Sequence, residues 1–508
     1  TFVLLSTTAM HADTLTVAQR RTRPVLVDLH RGAGEFGPPN TMAAFRAALV
    51  HGADVLEVDI RRTADGRLVC FHDDTVDGDL DGVGAVAELT FEQLRRMPFA
   101  PHYPRAWRYE PVPLFADVLA FAKKHALLFH LDVKVAGIDG QIARMLTEAD
   151  YWQGVATVND YNAAQIRTDP RYQPLPVKGG LLENHLDGEF DHVGELIRQP
   201  GQWLIVDDPR VAAVWLGRDP DTTRVSSSFL SDASTAPPSI DRPAAYWLKE
   251  LEAEVSPDDE APPRESILRR ARAALDLGLL KADDEAARAA LRARLYHPTL
   301  LADYRYHALD AALAARSLGR LGDTSAVADL RQALTTDHSV SVAEGLVAQG
   351  WKPEYVWWIN YRLYRESLFA LAQIGTPEAR AFLEELIDGR APVLKAARPY
   401  LQALAADALV LHGYPLDRVI LWLAHEDARV RRRAFLTIIA RPEGATTTLL
   451  RRQIQMLIRS DQEWDAIALI VSACPFLRNS QCILDAARSF NHSRIQAART
   501  FALGRRPN

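Results

Sequence analysis

Glu57 and Asp59 occupy alternate positions of the apolar run LEVDI (56–60). In an extended strand, residues i and i+2 share a face. The two carboxylates therefore point one way, and Leu56, Val58 and Ile60 point the other. Carboxylates held side by side in a protein interior repel each other and lose solvation, so something positive must offset them. A divalent cation does this with the fewest parts, and oxygen-only ligands favour Mg²⁺ or Ca²⁺. The run HLDVK (130–134) repeats the pattern, with His130, Asp132 and Lys134 on one face. Asp132 offers a third carboxylate, and Lys134 a charge suited to a phosphate.

Two more apolar runs stop at a histidine. VLVDLH (25–30) leads into Arg31 and Gly32, and RLVCFH (67–72) into two aspartates. Parallel α/β folds gather ligands at the carboxyl ends of their strands. Four successive strands are thus expected to present His30 and Arg31, Glu57 and Asp59, His72, and Asp132 and Lys134 to one mouth. One histidine that accepts a proton, one that donates it, and a carboxylate-held cation beside Arg31 and Lys134 suit the cleavage of a phosphodiester. Asp28 and His130 lie two residues upstream of His30 and Asp132. They are expected to form a hydrogen-bonded layer beneath the chemistry that orients it.

These residues need strands to mount them. Runs at 25–30, 53–60, 67–72, 126–134, 154–158, 177–183 and 203–207 read as strands, with helical stretches at 41–51, 90–97, 114–125 and 139–149. Such alternation means a parallel sheet, open or closed.

The stretch HRGAGEFGPPNTMAAFRAALVHGADVLEVDIRRTADGRLVCFHDDT (30–75) resembles the glycerophosphodiester phosphodiesterases, a family on the TIM-type barrel shared with phosphatidylinositol-specific phospholipases C. His30, Arg31, Gly32, Asn40, Thr41, Glu57, Asp59, Asp65, Gly66, His72 and Asp73 stand in family positions. ELTFEQLRRM and VPLFADVLAFAKKH follow the family run, and WLIVDDPRVAAVWL resembles the strand that closes the barrel. The resemblance spans residues 25–215. It implies His30 and His72 as the acid–base pair, Glu57, Asp59 and the acidic residue at 132 as ligands of Mg²⁺ or Ca²⁺, and Arg31 and Lys134 on the phosphate. It also implies sn-glycerol 3-phosphate and an alcohol as products, with the substrate's neighbouring hydroxyl as attacking group.

Four departures bear on the substrate side. Asp132 stands where the family has glutamate, in a D-x-K context similar to that of the sphingomyelinase D enzymes. Pro39 replaces the glutamate before Asn40, and DGDLDG (77–82) replaces the Arg-Thr-Thr that follows the second histidine. The segment is also short, about 190 residues where eight strand–helix units take about 250. DGDLDGVGAVAE (77–88) fits the D-x-D-x-D-G-x5-E calcium-loop pattern, which would add a second Ca²⁺. However, Gly84 stands where such loops carry an aliphatic residue and no helix precedes it, so the preferred reading is an acidic rim that shapes the pocket.

Residues 217–264 are rich in Pro, Ser and Asp and read as a linker. From 265 to 508 the apolar spacing is helical, and units of helix, glycine turn and helix recur at 308–335, 366–388 and 405–440. Such pairs bury their apolar faces by stacking, and they resemble HEAT-like repeats of the phycobilisome-lyase type. The fold expected is a short, incomplete α/β TIM-type barrel (25–216) followed by an all-α HEAT-like solenoid. The aromatic insertion at 356–365 is read as solenoid core.

The remaining features narrow the class. Lys and Arg total 59 against 65 Asp and Glu, a net charge of −6, which argues against a nucleic-acid partner. No apolar run approaches the ~20 residues of a transmembrane helix. Cys474 and Cys482 read as small apolar residues, or as a pair if the protein is exported. Residues 1–24 read as a leader or signal remnant, so a secreted or periplasmic location is expected, with the cytoplasm as the alternative. The function expected is metal-dependent hydrolysis of a small-molecule or lipid-derived phosphodiester, with the repeats serving a protein partner or self-association. The alternatives are a sphingomyelinase D or phospholipase D-like enzyme on lysolipids or sphingolipids, and a non-catalytic scaffold.

Overall fold

The computed structural model describes residues 15–34, 37–176, 182–183, 202–206, 240, 242–253, 264–282, 284–440, 452, 481–488, 496 and 499–500. Apolar, largely β-branched or leucine-rich runs become strands Val25–Leu29 (β1), Val55–Arg62 (β2), Leu68–Cys70 (β3), Leu128–Val133 (β4), Val155–Val158 (β5), Leu182–Glu183 (β6) and Gln202–Val206 (β7). Their path is β5-β4-β2-β1-β7-β6, every step parallel, with β3 attached to β2 alone. The first strand is therefore hydrogen-bonded to the last, Val25 beside Gln202 and Leu29 beside Val206. Pairing of first with last lets the strands follow chain order around the wall of a short α/β barrel, and among the described residues β5 and β6 end the path without pairing to each other.

Alternation along the strands separates two environments. Leu29, Leu56, Val58, Ile60, Phe129 and Leu131 face outward and are buried with Phe45, Phe115 and Ile142 of the surrounding helices. Burial of each such side chain is worth roughly 1.5–3 kcal/mol. Leu26, Val55, Leu128, Ala156, Trp203 and Ile205 form a separate apolar floor. Above that floor the inward positions turn polar. Register sets Glu57 beside His130 and Asp59 beside Asp132.

Three segments differ from the sequence expectation. RLVCFH was expected to be a barrel strand, yet β3 runs antiparallel to β2, with Cys70 opposite Ile60 and Leu68 opposite Arg62. The cause is the turn at 63–66: the N–H of Gly66, at φ +77°, donates to the Thr63 carbonyl over 3.0 Å, which folds the chain back. Within the stretch read as a leader, Val17–Arg21 is a helix whose fully buried Arg20 donates to the Ala53 carbonyl over 2.8 Å, while Val17 packs on the floor of the barrel. Residues 1–14 lie outside the described residues. Within the stretch read as a linker, Ala244–Glu252 is a helix that packs through Trp247, Leu248 and Leu251 on the C-terminal core.

From Arg264 onward every described element is helical, and HEAT-like repeats stack around one continuous core. Leu309–Leu321 and Tyr361–Ile374 each end on a glycine in the left-handed region, Gly322 at φ +61° and Gly375 at φ +67°, a conformation that ends a helix without a Cβ penalty. The aromatic insertion enters that core through Trp357 and Tyr364. No helix among the described residues is long and apolar enough to cross a membrane. Cys70 is buried as a free thiol, and the pairing of Cys474 with Cys482 lies outside the described residues.

Candidate active site

The turn after β1 builds one side of the site. Arg31 has φ +54° and Gly32 φ +83°. A non-glycine residue there costs about 1–3 kcal/mol and persists only where its surroundings hold it. Two hydrogen bonds do so. The Arg31 N–H donates to Glu57 Oε2 over 2.7 Å, and the Asn40 N–H donates to the Arg31 carbonyl over 2.8 Å. A Cβ on Gly32 would stand 2.8 Å from that of Ala44, so only glycine lets this turn rest on helix Met42–Val50. His30 opens the turn, its N–H donating to the Val206 carbonyl over 3.1 Å.

Asn40 also grips Asp59. Its Nδ2 donates to Asp59 Oδ2 over 2.6 Å, and its Oδ1 accepts from the Asp59 N–H over 3.1 Å. Arg31 Nε stands 3.4 Å from Asp59 Oδ2, and Lys134 Nζ stands 3.0 Å from Asp59 Oδ1 and 2.6 Å from Asp132 Oδ2. Asn159 Nδ2 and the Tyr161 hydroxyl donate to Asp132 Oδ1 over 2.8 and 3.0 Å.

Glu57, Asp59 and Asp132 each offer an oxygen within 4.8 Å of the others. Oxygens on one Mg²⁺ or Ca²⁺ at about 2.0–2.6 Å lie no more than about 5 Å apart, so this donor set fits a single hard cation. The electrostatics agree. Burial, and then the charge of Asp59, push the Glu57 carboxyl well above the usual range. Burial would raise Asp59 too, but Arg31, His72, Lys134 and Asn40 hold it below its ordinary value. A buried glutamate whose charged form is disfavoured in this way is short of positive charge.

His72 arrives by the hairpin. β2 overshoots the mouth, β3 returns beside it, and the Phe71 N–H donates to the Asp59 carbonyl over 3.0 Å. This brings His72 back to the level of the carboxylates. Its Nδ1 lies 2.6 Å from Asp73 Oδ1, and its carbonyl accepts from Arg61 Nε over 2.8 Å. Partial burial would raise the Asp73 carboxyl, but His72, Arg362 and Arg31 bring it down to about 2. A carboxylate only accepts, so this contact favours the tautomer in which Nδ1 donates, with Nε2 on the far side of the ring.

Beneath the carboxylates, Asp28 Oδ2 accepts from Trp203 Nε1 over 2.8 Å and lies 2.9 Å from His130 Nδ1. Asp28 and His130 thus form the expected hydrogen-bonded layer, with Trp203 as an unexpected third member. Asn159 and Tyr161 were also missed. Both follow β5, and the strand-end rule that singled out His30 could have found them.

The acidic loop holds its charge differently from a calcium site. Asp77 Oδ2 stands 3.0 Å from Arg362 Nε, Asp79 accepts from the Tyr103 hydroxyl over 2.7 Å, and Asp81 is paired with Arg108, Arg316 and Arg320. Among the described residues these three carboxylates do not converge as Glu57, Asp59 and Asp132 do, and guanidinium and hydroxyl groups hold them separately.

Residues 30–168 match the glycerophosphoryl diester phosphodiesterase family, and residues 311–336 and 363–389 match the PBS lyase HEAT-like repeat. A glycerophosphodiester phosphodiesterase of Caldanaerobacter subterraneus subsp. tengcongensis is 30% identical over 162 residues, 31% of this chain and 66% of that protein. Glycerophosphodiester phosphodiesterase 1 of Bos taurus is 42% identical over 107 residues, 21% of this chain and 32% of that protein. The chain thus spans just under two thirds of the first relative and about a third of the second. Among solved structures, a glycerophosphodiester phosphodiesterase from Agrobacterium tumefaciens aligns with 37% of this chain and 99% of its own, at 17% identity and a TM-score of 0.32.

Proposed function

We propose that this chain, which carries a glycerophosphoryl diester phosphodiesterase family domain at residues 30–168 with HEAT-like repeats behind it, hydrolyses glycerophosphodiesters to sn-glycerol 3-phosphate and an alcohol. The observation that carries this reading is the meeting of three carboxylate oxygens within 4.8 Å, with Arg31 and Lys134 beside them. Glu57, Asp59 and Asp132 would hold Mg²⁺ or Ca²⁺. When bound, that cation would offset charge on the phosphoryl oxygens.

The chain's own groups divide the remaining work. Arg31 and Lys134 bind the phosphate and fix its orientation. The His72–Asp73 pair fits the proton acceptor, because the carboxylate fixes the tautomer whose Nε2 is free to accept. His30, at the end of β1, gives a proton to the leaving alcohol. The substrate's neighbouring hydroxyl attacks phosphorus and loses its proton to His72, and water then opens the cyclic phosphate.

The test is the purified full chain with Mg²⁺ or Ca²⁺, offered glycerophosphocholine and lysophosphatidylcholine in parallel, with products identified. Preference for glycerophosphocholine supports the reading. Turnover of lysophosphatidylcholine alone replaces it with the lysolipid alternative, and no turnover of either favours a scaffold.

A further inference from the structure

The loop after His72 is gripped by the other domain. Helices Leu309–Leu321 and Tyr361–Ile374 turn a buried row of charge toward it. Gly319 makes this possible: a Cβ there would stand 2.8 Å from Ala370 Cα, so the two helices pack backbone to backbone. At that distance Arg316 binds Glu366 with both arms, Nε to Oε2 and Nη2 to Oε1, each over 2.9 Å. The same guanidinium donates to the carbonyls of Leu80 over 3.0 Å and Asp77 over 2.8 Å. Arg365 Nη2 donates to the Gly78 carbonyl over 2.6 Å and to Glu366 Oε1 over 3.0 Å.

Gly78 is the link to the chemistry. A Cβ on it would stand 2.8 Å from Asp73 Oδ2, so its backbone lies against that carboxylate. The other carboxylate oxygen lies 2.6 Å from His72 Nδ1. Contacts therefore run without a gap from Arg365 through Gly78 and Asp73 to the imidazole. All the guanidinium groups involved come from the repeats, about 240–290 residues further along the chain, and loops of this kind are otherwise the mobile parts of a barrel mouth.

We propose that the helical-repeat domain is a positioning element of the active site, with Arg365, backed by Arg316 and Glu366, holding Gly78 and so fixing Asp73 and the His72 imidazole. The inference rests on His72 as a proton-transfer group. A catalytic group that swings on a loose loop spends less time in the productive geometry, so the loss should fall on kcat rather than on substrate binding.

The experiment uses the full chain with Arg365→Gln and Gly78→Ala, singly and together. Arg365→Gln leaves Glu366 paired with Arg316, so no buried carboxylate is stranded. Each single variant should lower kcat on glycerophosphocholine by about tenfold or more, while KM and Mn²⁺ affinity stay within about twofold. Both act on one carboxylate, so the double variant should lose far less than the product of the single losses. If Arg365→Gln folds poorly, Arg365→Lys keeps the charge, shortens the reach to Gly78 and carries the same test. An unchanged kcat, or full additivity, overturns the inference. A wild type silent on every diester would instead sink the functional reading. The clamp is then judged on the ¹⁵N-labelled histidine spectrum: a loss of the Nδ1-protonated His72 tautomer in Arg365→Gln supports it, and an unchanged His72 signal overturns it.

Discussion

The Arg31 N–H donates to Glu57 Oε2 over 2.7 Å, so the turn that carries the arginine hangs on a carboxylate of the buried acidic cluster. Glu57→Gln keeps an oxygen acceptor for that N–H and removes only the charge. Its defect is expected in metal affinity, and raising Mg²⁺ or Ca²⁺ should partly restore turnover by mass action. Glu57→Ala also releases a residue held at positive φ, and added metal should restore much less. Metal titrations of both variants on one diester separate the two roles.

His30→Ala and His72→Ala are each expected to lower kcat by about 10²–10⁴-fold, with the far-UV circular dichroism unchanged. Metal cannot replace a missing proton donor or acceptor. Rescue of His30→Ala by added Mg²⁺ or Ca²⁺ would make His30 a ligand, or the support of one.

Asn159 Nδ2 and the Tyr161 hydroxyl both steer Asp132 Oδ1. Asn159→Leu leaves the carboxylate with one donor fewer, and a loss of about 10–100-fold in metal affinity or activity is expected. Calorimetric titration with Mn²⁺ reads the first, and initial rates read the second. Tyr161→Phe should give a smaller loss, because that side chain is largely exposed.

How much of this was legible in the sequence depends on the distance over which each feature is determined. The shared face of Glu57 and Asp59 follows from strand periodicity alone, as does that of Asp132 and Lys134. His72 could be named, but its route could not: a four-residue turn at 63–66 converts an apparent barrel strand into a hairpin. The helix Ala244–Glu252 was masked by the Pro and Ser residues around it. The partners of Asp77 and Asp81 were not legible at all, because Arg316 and Arg362 look like solvated helix arginines until the helices dock on the barrel.

Glu366 gives the clamp a pH signature. Burial would raise its carboxyl, but Arg316 and Arg365 hold it well below its ordinary value of 4.5. An acid depressed by folding adds stability that is present in full above its unfolded pKa and is lost as pH falls toward the folded one. Glu366→Gln strands two buried guanidinium groups and is expected to cost about 3–5 kcal/mol at about pH 7. The gap between wild type and variant should narrow as pH falls below about 4.5. Urea unfolding of both proteins across that range checks it, and a gap independent of pH would contradict the assignment.

The central claim is that a cation held by Glu57, Asp59 and Asp132 serves a phosphodiester cleavage on the glycerol side of the leaving alcohol. ³¹P NMR of glycerophosphocholine with the purified full chain tests it most directly, read with Mg²⁺ or Ca²⁺ present, after EDTA, and after metal is restored. The account predicts that the diester signal gives way to sn-glycerol 3-phosphate, stops on chelation and resumes with metal. A phosphocholine signal, turnover that persists through EDTA, or a diester left intact with both cations would contradict it.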